Sequence, residues 1–174
     1  ASRPRRGGRA ALSTSRAKDF MQCPLLFRLR TVDRIPDPGS LATHKGTLVH
    51  GVLERLYDLP PRERTREAAR AMLPSQWETH REKSPDVMGL FDDPTRVAPW
   101  LEEAGALLDA YFRMEDPTRL EPAERELLVQ TETRDGLLLR GFVDRLDVAP
   151  DGAMRVVDYK TGRSPGPRFQ AEAL

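Results

Sequence analysis

From Leu12 to about Glu115 the apolar residues recur every three to four positions, and after Pro122 they fall into short extended runs. Ser13, Thr14 or Ser15 can cap a first helix reaching Met21 or Gln22. Cys23-Pro24 interrupts it before the apolar triplet Leu25, Leu26 and Phe27. Thr31 to Gly39, with two prolines, reads as a loop. The strongest amphipathic period follows. With Ser40 as N-cap, Leu48, Val49, Val52, Leu53, Leu56 and Tyr57 form one stripe on a helix reaching about Asp58, and Pro60-Pro61 stops it. Residues 64–82 predict a more polar helix with Ala68, Ala69, Met72 and Leu73 inside and Pro74 as an early stop. After a loop over 84–94, a third long helix is predicted from Pro94 to about Glu115, with Leu101, Ala104, Leu107, Leu108, Tyr111 and Phe112 inward.

Beyond Pro122, Leu127-Leu128-Val129 with Gln130, Thr131 and Thr133 predict a strand, and Asp135-Gly136 a tight turn. Leu137 to Val148 predicts a second strand, Pro150-Asp151-Gly152 a turn, and Met154 to Lys160 a third strand. Three successive strands on short connections behind helices predict an α/β (α+β) fold with an antiparallel meander. Thr161 to Pro167 reads as a loop, and Phe169 to Leu174 could open a further helix. Ala1 to Ala10 has four arginines and no apolar period, so a flexible basic arm is expected over 1–11, joined to one domain over 12–174.

Composition narrows the class. The chain has 174 residues, 39% hydrophobic and 32% charged, and no run approaches the ~20 apolar residues that span a bilayer. The Arg-rich start has no apolar stretch of the signal-peptide kind behind it, so a cytoplasmic protein without membrane association is expected. A single cysteine, Cys23, excludes an intrachain disulfide and any structural zinc site built from several thiolates of this chain. The net charge of +1 hides an uneven distribution: residues 1–30 carry eight basic side chains against one acidic. That imbalance points toward a polyanionic partner, with Arg3, Arg5, Arg6, Arg9 and Arg16 as candidate phosphate contacts. The competing reading of the arm is a solvated linker.

The chemistry-bearing residues gather late in the chain. In Val156-Val157-Asp158-Tyr159-Lys160, strand alternation puts Asp158 and Lys160 on one face, where a carboxylate can hold a hard divalent cation and an ammonium can position the attacking water. The competing reading is an exposed ion pair. Gly141-Phe142-Val143-Asp144-Arg145 places Asp144 in the neighbouring strand, able to approach the same cation, while Asp147 is expected at an exposed hairpin end. Gly46 and His50 lie one turn apart at the border of the apolar stripe. Gly46 permits a close neighbour there, and His50 is either a third ligand or an ordinary packing residue.

Gly46-x-x-x-His50, then Gly141-x-x-Asp144-Arg145, then Val157-Asp158-Tyr159-Lys160-Thr161-Gly162, in that order, resemble the RecB-type branch of the PD-(D/E)XK nuclease superfamily. Leu12-Ser13-x-Ser15 with Phe20-x-x-Cys23-Pro24-x-x-Phe27 is similar to the N-terminal signature of that branch. The resemblance implies a restriction-endonuclease-like core, a mixed sheet flanked by helices, and Mg²⁺- or Mn²⁺-dependent exonucleolytic hydrolysis of DNA in recombination or repair. His50, Asp144, Asp158 and the backbone carbonyl of Tyr159 would be metal ligands. Lys160 would orient the nucleophilic water, with Asp144 and Asp158 counted among the catalytic residues and Glu126 as an additional acid. A helicase or other recombination subunit would be a partner.

Two features depart from the branch. Gln170 is followed by Ala171-Glu172-Ala173-Leu174 where relatives carry Gln-x-x-x-Tyr, so the core is expected to lack or leave incomplete its C-terminal helix and strand. Cys23 alone cannot complete the iron-sulfur cluster that some relatives hold. The alternatives are a non-catalytic nucleic-acid-binding or partner-binding module that keeps the fold, and a purely structural domain with the acids as surface charge.

Overall fold

Side-chain caps set where three of the helices begin. In the computed structural model, which describes residues 11–162, the Ser13 hydroxyl accepts from the Arg16 amide to open α1 (Thr14–Gln22). In the same way Ser40 accepts from Thr43 at α3 (Leu41–Leu56), and Thr65 from Ala68 at α4 (Arg66–Lys83). Pro24 opens the short α2 (Pro24–Phe27), and Cys23 sits at the joint with an extended backbone. A π-helical turn over Arg28–Val32 continues α2 into the stretch expected to be loop. The last long helix is α5 (Val97–Met114). The strands are β1 (Ala11–Leu12), β2 (Glu124–Glu132), β3 (Leu138–Val148) and β4 (Met154–Val157). Arg3, Arg5, Arg6 and Arg9, the helix expected from Phe169 and the variant Gln170 motif lie outside the described residues.

The chain divides into two units. One takes residues up to Asp37 together with Glu126–Val143; the other takes Pro38–Arg125 and the chain from Asp144 onward. In the first, β1 runs parallel to the start of β3, pairing Ala11 with Leu138 and Leu12 with Leu139. This strand was absent from the expected meander, and it makes the four-stranded sheet mixed. Two residues are too short to carry a period, so sequence pattern alone could not reveal β1. Gly136 turns the chain from β2 into β3 with φ 81°, as an Asp-Gly turn requires.

The second unit holds the core, built from α3, α4 and α5. Leu48, Val49, Val52, Leu53 and Leu56 of α3 are buried against Ala69, Leu73 and Trp77 of α4 and Trp100, Ala104, Leu108 and Tyr111 of α5. Each fully buried aliphatic side chain here contributes about 1.5–3 kcal/mol. Pro74 does not end α4. The proline removes one backbone donor, but Leu73, Gln76 and Trp77 on either side of it are buried, and Gln76 Nε2 donates to the Gly51 carbonyl at 3.0 Å, so packing holds both halves in line. Antiparallel pairing joins the end of β3 to β4 from Arg145↔Val157 to Val148↔Met154, around a turn where Gly152 has φ 85°.

β4 is shorter than the sequence predicts, ending at Val157 rather than Lys160. Continuing its register by one step sets Asp144 across from Asp158, but there the backbone leaves the ladder. The peptide groups of Tyr159 bond to the side chains of Asp144 and His50 instead of to a strand.

Candidate metal centre and its buried arginine

Three of the residues singled out by sequence meet in the second unit. The Tyr159 amide donates to Asp144 Oδ2 at 2.6 Å, and the Tyr159 carbonyl lies 2.8 Å from His50 Nε2. His50 Nδ1 is 3.5 Å from Asp144 Oδ1, and the two side chains are 27% and 12% exposed. One helix and one strand therefore grip a single residue through its main chain. Gly46, one turn before His50, makes the approach possible, because a Cβ there would lie 3.0 Å from Thr161 Oγ1.

The donor set fits a divalent cation on its own chemistry. In one neutral tautomer His50 donates from Nε2 to the Tyr159 carbonyl and turns the Nδ1 lone pair toward Asp144 Oδ1. In the other it donates toward Asp144 and turns the Nε2 lone pair toward the carbonyl. Either way two acceptors face one another. A cation removes the conflict, and a carboxylate, a carbonyl and an imidazole together can hold a divalent one.

Asp158 and Lys160 are ion-paired with each other, with side chains 56% and 78% exposed. Both line a groove of about 410 Å³ beside Tyr159, which Val49 and Leu53 of α3 and Leu107 and Met114 of α5 also line. Glu126 belongs to the first unit, where it departs from the extended backbone of β2 with φ 46°. Arg16 donates to the Ala11 carbonyl at 2.9 Å.

Sequence reasoning missed the largest polar feature, the environment of Arg145. Its side chain is 1% exposed, yet it carries a full charge. Nη1 and Nη2 fork onto Glu115 at 2.5 and 2.9 Å, and Nε and Nη2 reach Asp147 at 2.9 and 3.2 Å. Nη1 also lies 2.7 Å from the Tyr57 hydroxyl, 2.8 Å from that of Tyr159 and 3.4 Å from that of Tyr111, which are all three tyrosines of the chain. Asp147 is thus a partner of Arg145 and of Arg155 (2.7 Å), with 17% exposure, and not the exposed hairpin end expected. Two arginines balance two carboxylates, which is how the fold tolerates the burial.

Burial is the largest single influence on the Glu115 carboxyl and works to raise it, but the hydrogen bonds from Arg145 and Tyr111 and the charges of Arg145 and Arg155 together outweigh this and leave its pKa below the ordinary value. Burial is also the main reason the hydroxyls of Tyr57, Tyr111 and Tyr159 are all raised and stay protonated. The available signal in the sequence was an arginine in phase with Val143 and Val157 on an inward strand face.

A profile of the PD-(D/E)XK nuclease superfamily matches residues 11–174. The chain belongs to this superfamily. Gene 69 protein of Mycobacterium phage D29 is 27% identical over 190 residues, which cover 91% of this chain and 65% of that protein. Gene 69 protein of Mycobacterium phage L5 is 56% identical over 36 residues, 21% of this chain and 12% of that protein. The chain spans less than two thirds of the length of these curated relatives. PD-(D/E)XK proteins are in general hydrolytic nucleases that use divalent metals and act on DNA, and the mixed α/β architecture described above is consistent with their restriction-endonuclease-like fold. Among the described residues, no helix is long and apolar enough to cross a membrane.

Proposed function

We propose that this PD-(D/E)XK protein is a RecB-type exonuclease that hydrolyses phosphodiester bonds of DNA during recombination or repair, with Mg²⁺ or Mn²⁺ as cofactor. The observation that carries the reading is the meeting of His50, Asp144 and the Tyr159 carbonyl immediately beside Asp158 and Lys160. His50, Asp144, Asp158 and the Tyr159 carbonyl would hold the cation, and Glu126 is a further candidate acid from its place in the motif order. When bound, the cation supplies Lewis-acid polarisation of the phosphate and a lowered water pKa.

The protein's own part is orientation and charge. Lys160 stands on an exposed segment where its ammonium can bind a phosphate oxygen or orient the attacking water. Its ion pair with Asp158 keeps that ammonium at the groove until DNA arrives. The basic residues Arg3, Arg5, Arg6, Arg9 and Arg16 would meet the DNA backbone, and a helicase or other recombination subunit is the proposed partner of the whole protein.

The test is degradation of end-labelled linear against circular single-stranded DNA with Mg²⁺ or Mn²⁺, the parent beside Lys160→Ala. Cleavage confined to the linear form and lost in the variant supports the exonuclease reading. Cleavage of both forms would replace it with an endonuclease. DNA binding without cleavage by either protein would favour the non-catalytic module.

A further inference from the structure

Tyr159 is held at three points, and only two of them belong to the metal-binding residues. Its amide is fixed by Asp144 and its carbonyl by His50, while its ring runs to the opposite side and ends on Arg145. The ring meets His50 edge-on at 5.9 Å and Tyr111 edge-on at 5.8 Å, so it can swing only by displacing packed aromatics. Asp144 and Arg145 are consecutive on β3 and so point to opposite faces. One holds the main chain of residue 159 and the next holds the tip of its side chain. Arg145 is itself immobilised by the Glu115 fork and by Asp147, which is also bound by Arg155.

We infer that Arg145 is a positioning residue for the metal centre: through the Tyr159 hydroxyl it fixes the peptide groups to which Asp144 and His50 bind, and so sets the cation affinity of the site. The inference rests on the proposed metal-dependent reading and adds the residue that controls it. The reason is geometric. Val157 is the last residue of β4, so the ladder stops two residues before Tyr159, and no strand hydrogen bond fixes the orientation of that peptide. A phenol–guanidinium bond of 2.8 Å at the far end of a rigid ring replaces the missing restraint. Groups that orient metal ligands from behind typically control affinity by about 10- to 100-fold.

The experiment is Mn²⁺ titration of the full chain by calorimetry, with metal-free thermal unfolding run beside it, on the parent, Tyr159→Phe, Tyr57→Phe and Arg145→Lys. Tyr159→Phe keeps the ring and deletes only its bond to Arg145. It is expected to weaken Mn²⁺ binding about tenfold or more with a metal-free Tm close to the parent's. Tyr57→Phe removes another phenol from the same guanidinium, at 2.7 Å, without touching residue 159, and is expected to bind Mn²⁺ within about twofold of the parent. Arg145→Lys, which keeps the charge and loses the fork, should weaken binding at least as much as Tyr159→Phe.

Unchanged affinity in Tyr159→Phe overturns the inference while leaving the metal reading intact. Equal weakening in Tyr57→Phe also overturns it, because the effect would then track general loosening of the buried cluster. A parent that binds no Mn²⁺ overturns the metal reading and this inference with it.

Discussion

Two basic residues near the Tyr159 peptide do opposite work. Lys160 is 78% exposed and paired only with an exposed carboxylate, so Lys160→Ala should leave Tm within about 2 °C of the parent while cleavage falls by about 100-fold or more. A cleavage assay beside a melting curve checks both halves of that expectation. Arg145 is enclosed. Arg145→Met would leave Glu115 and Asp147 with Arg155 as their remaining cation, and breaking such a buried pair costs about 3–5 kcal/mol. Urea unfolding should show a midpoint well below the parent's. The charge proposed for catalysis and the charge that holds the fold are thus separated by solvent exposure, since water screens the first and not the second. Sequence alone singled out Lys160 as a candidate for the chemistry and gave Arg145 no role beyond its place in the Gly141-x-x-Asp144-Arg145 motif.

At the level of elements, α3 links the core to the candidate site. Its buried stripe is set by a local period, and Leu48, Val49, Val52, Leu53, Leu56 and Tyr57 are buried as that period predicts. Gly46 lies at the border of the stripe, and its value is the space it leaves for Thr161. Gly46→Ala should gain about 1 kcal/mol of helix propensity, yet it must push Thr161 and the Asp158–Lys160 segment by a few tenths of an ångström. The expected result is an unchanged or raised Tm with weakened Mn²⁺ binding, and a lowered Tm with parental affinity would contradict it. Helix α4 offers a contrasting case. Pro74→Ala restores a backbone donor in a helix whose inner face is already packed, so it should raise stability by about 1–2 kcal/mol in chemical denaturation.

For the whole molecule, acid should loosen the second unit in two stages. Burial first, then electrostatic repulsion from His44 and Lys83, holds His80 below its ordinary 6.5, and its Nε2 lies 2.8 Å from His44 Nδ1. A base whose folded pKa is depressed binds its proton more readily when unfolded, so stability is full above pH 6.5 and declines as pH falls from there toward the folded value. Glu115 acts lower: its depressed carboxyl contributes stability that is present above about 4.5 and is lost as pH falls through the folded value. Tm measured across pH 8 to 3 should show both declines, and His80→Gln should remove only the first. By itself the sequence determined the Ser40 start and inward stripe of α3 and the turns at Gly136 and Gly152, because caps, periods and turn chemistry act within a few residues, and strand alternation with motif order picked out His50, Asp144, Asp158 and Lys160 as candidates. Only the tertiary structure decided that β4 stops at Val157, that the Tyr159 peptide lies between His50 and Asp144, and that three tyrosines and two acids enclose Arg145. Those contacts join residues as much as 109 positions apart, and their geometry comes from how α3, α5 and β3 pack in the second unit rather than from any local preference of the chain.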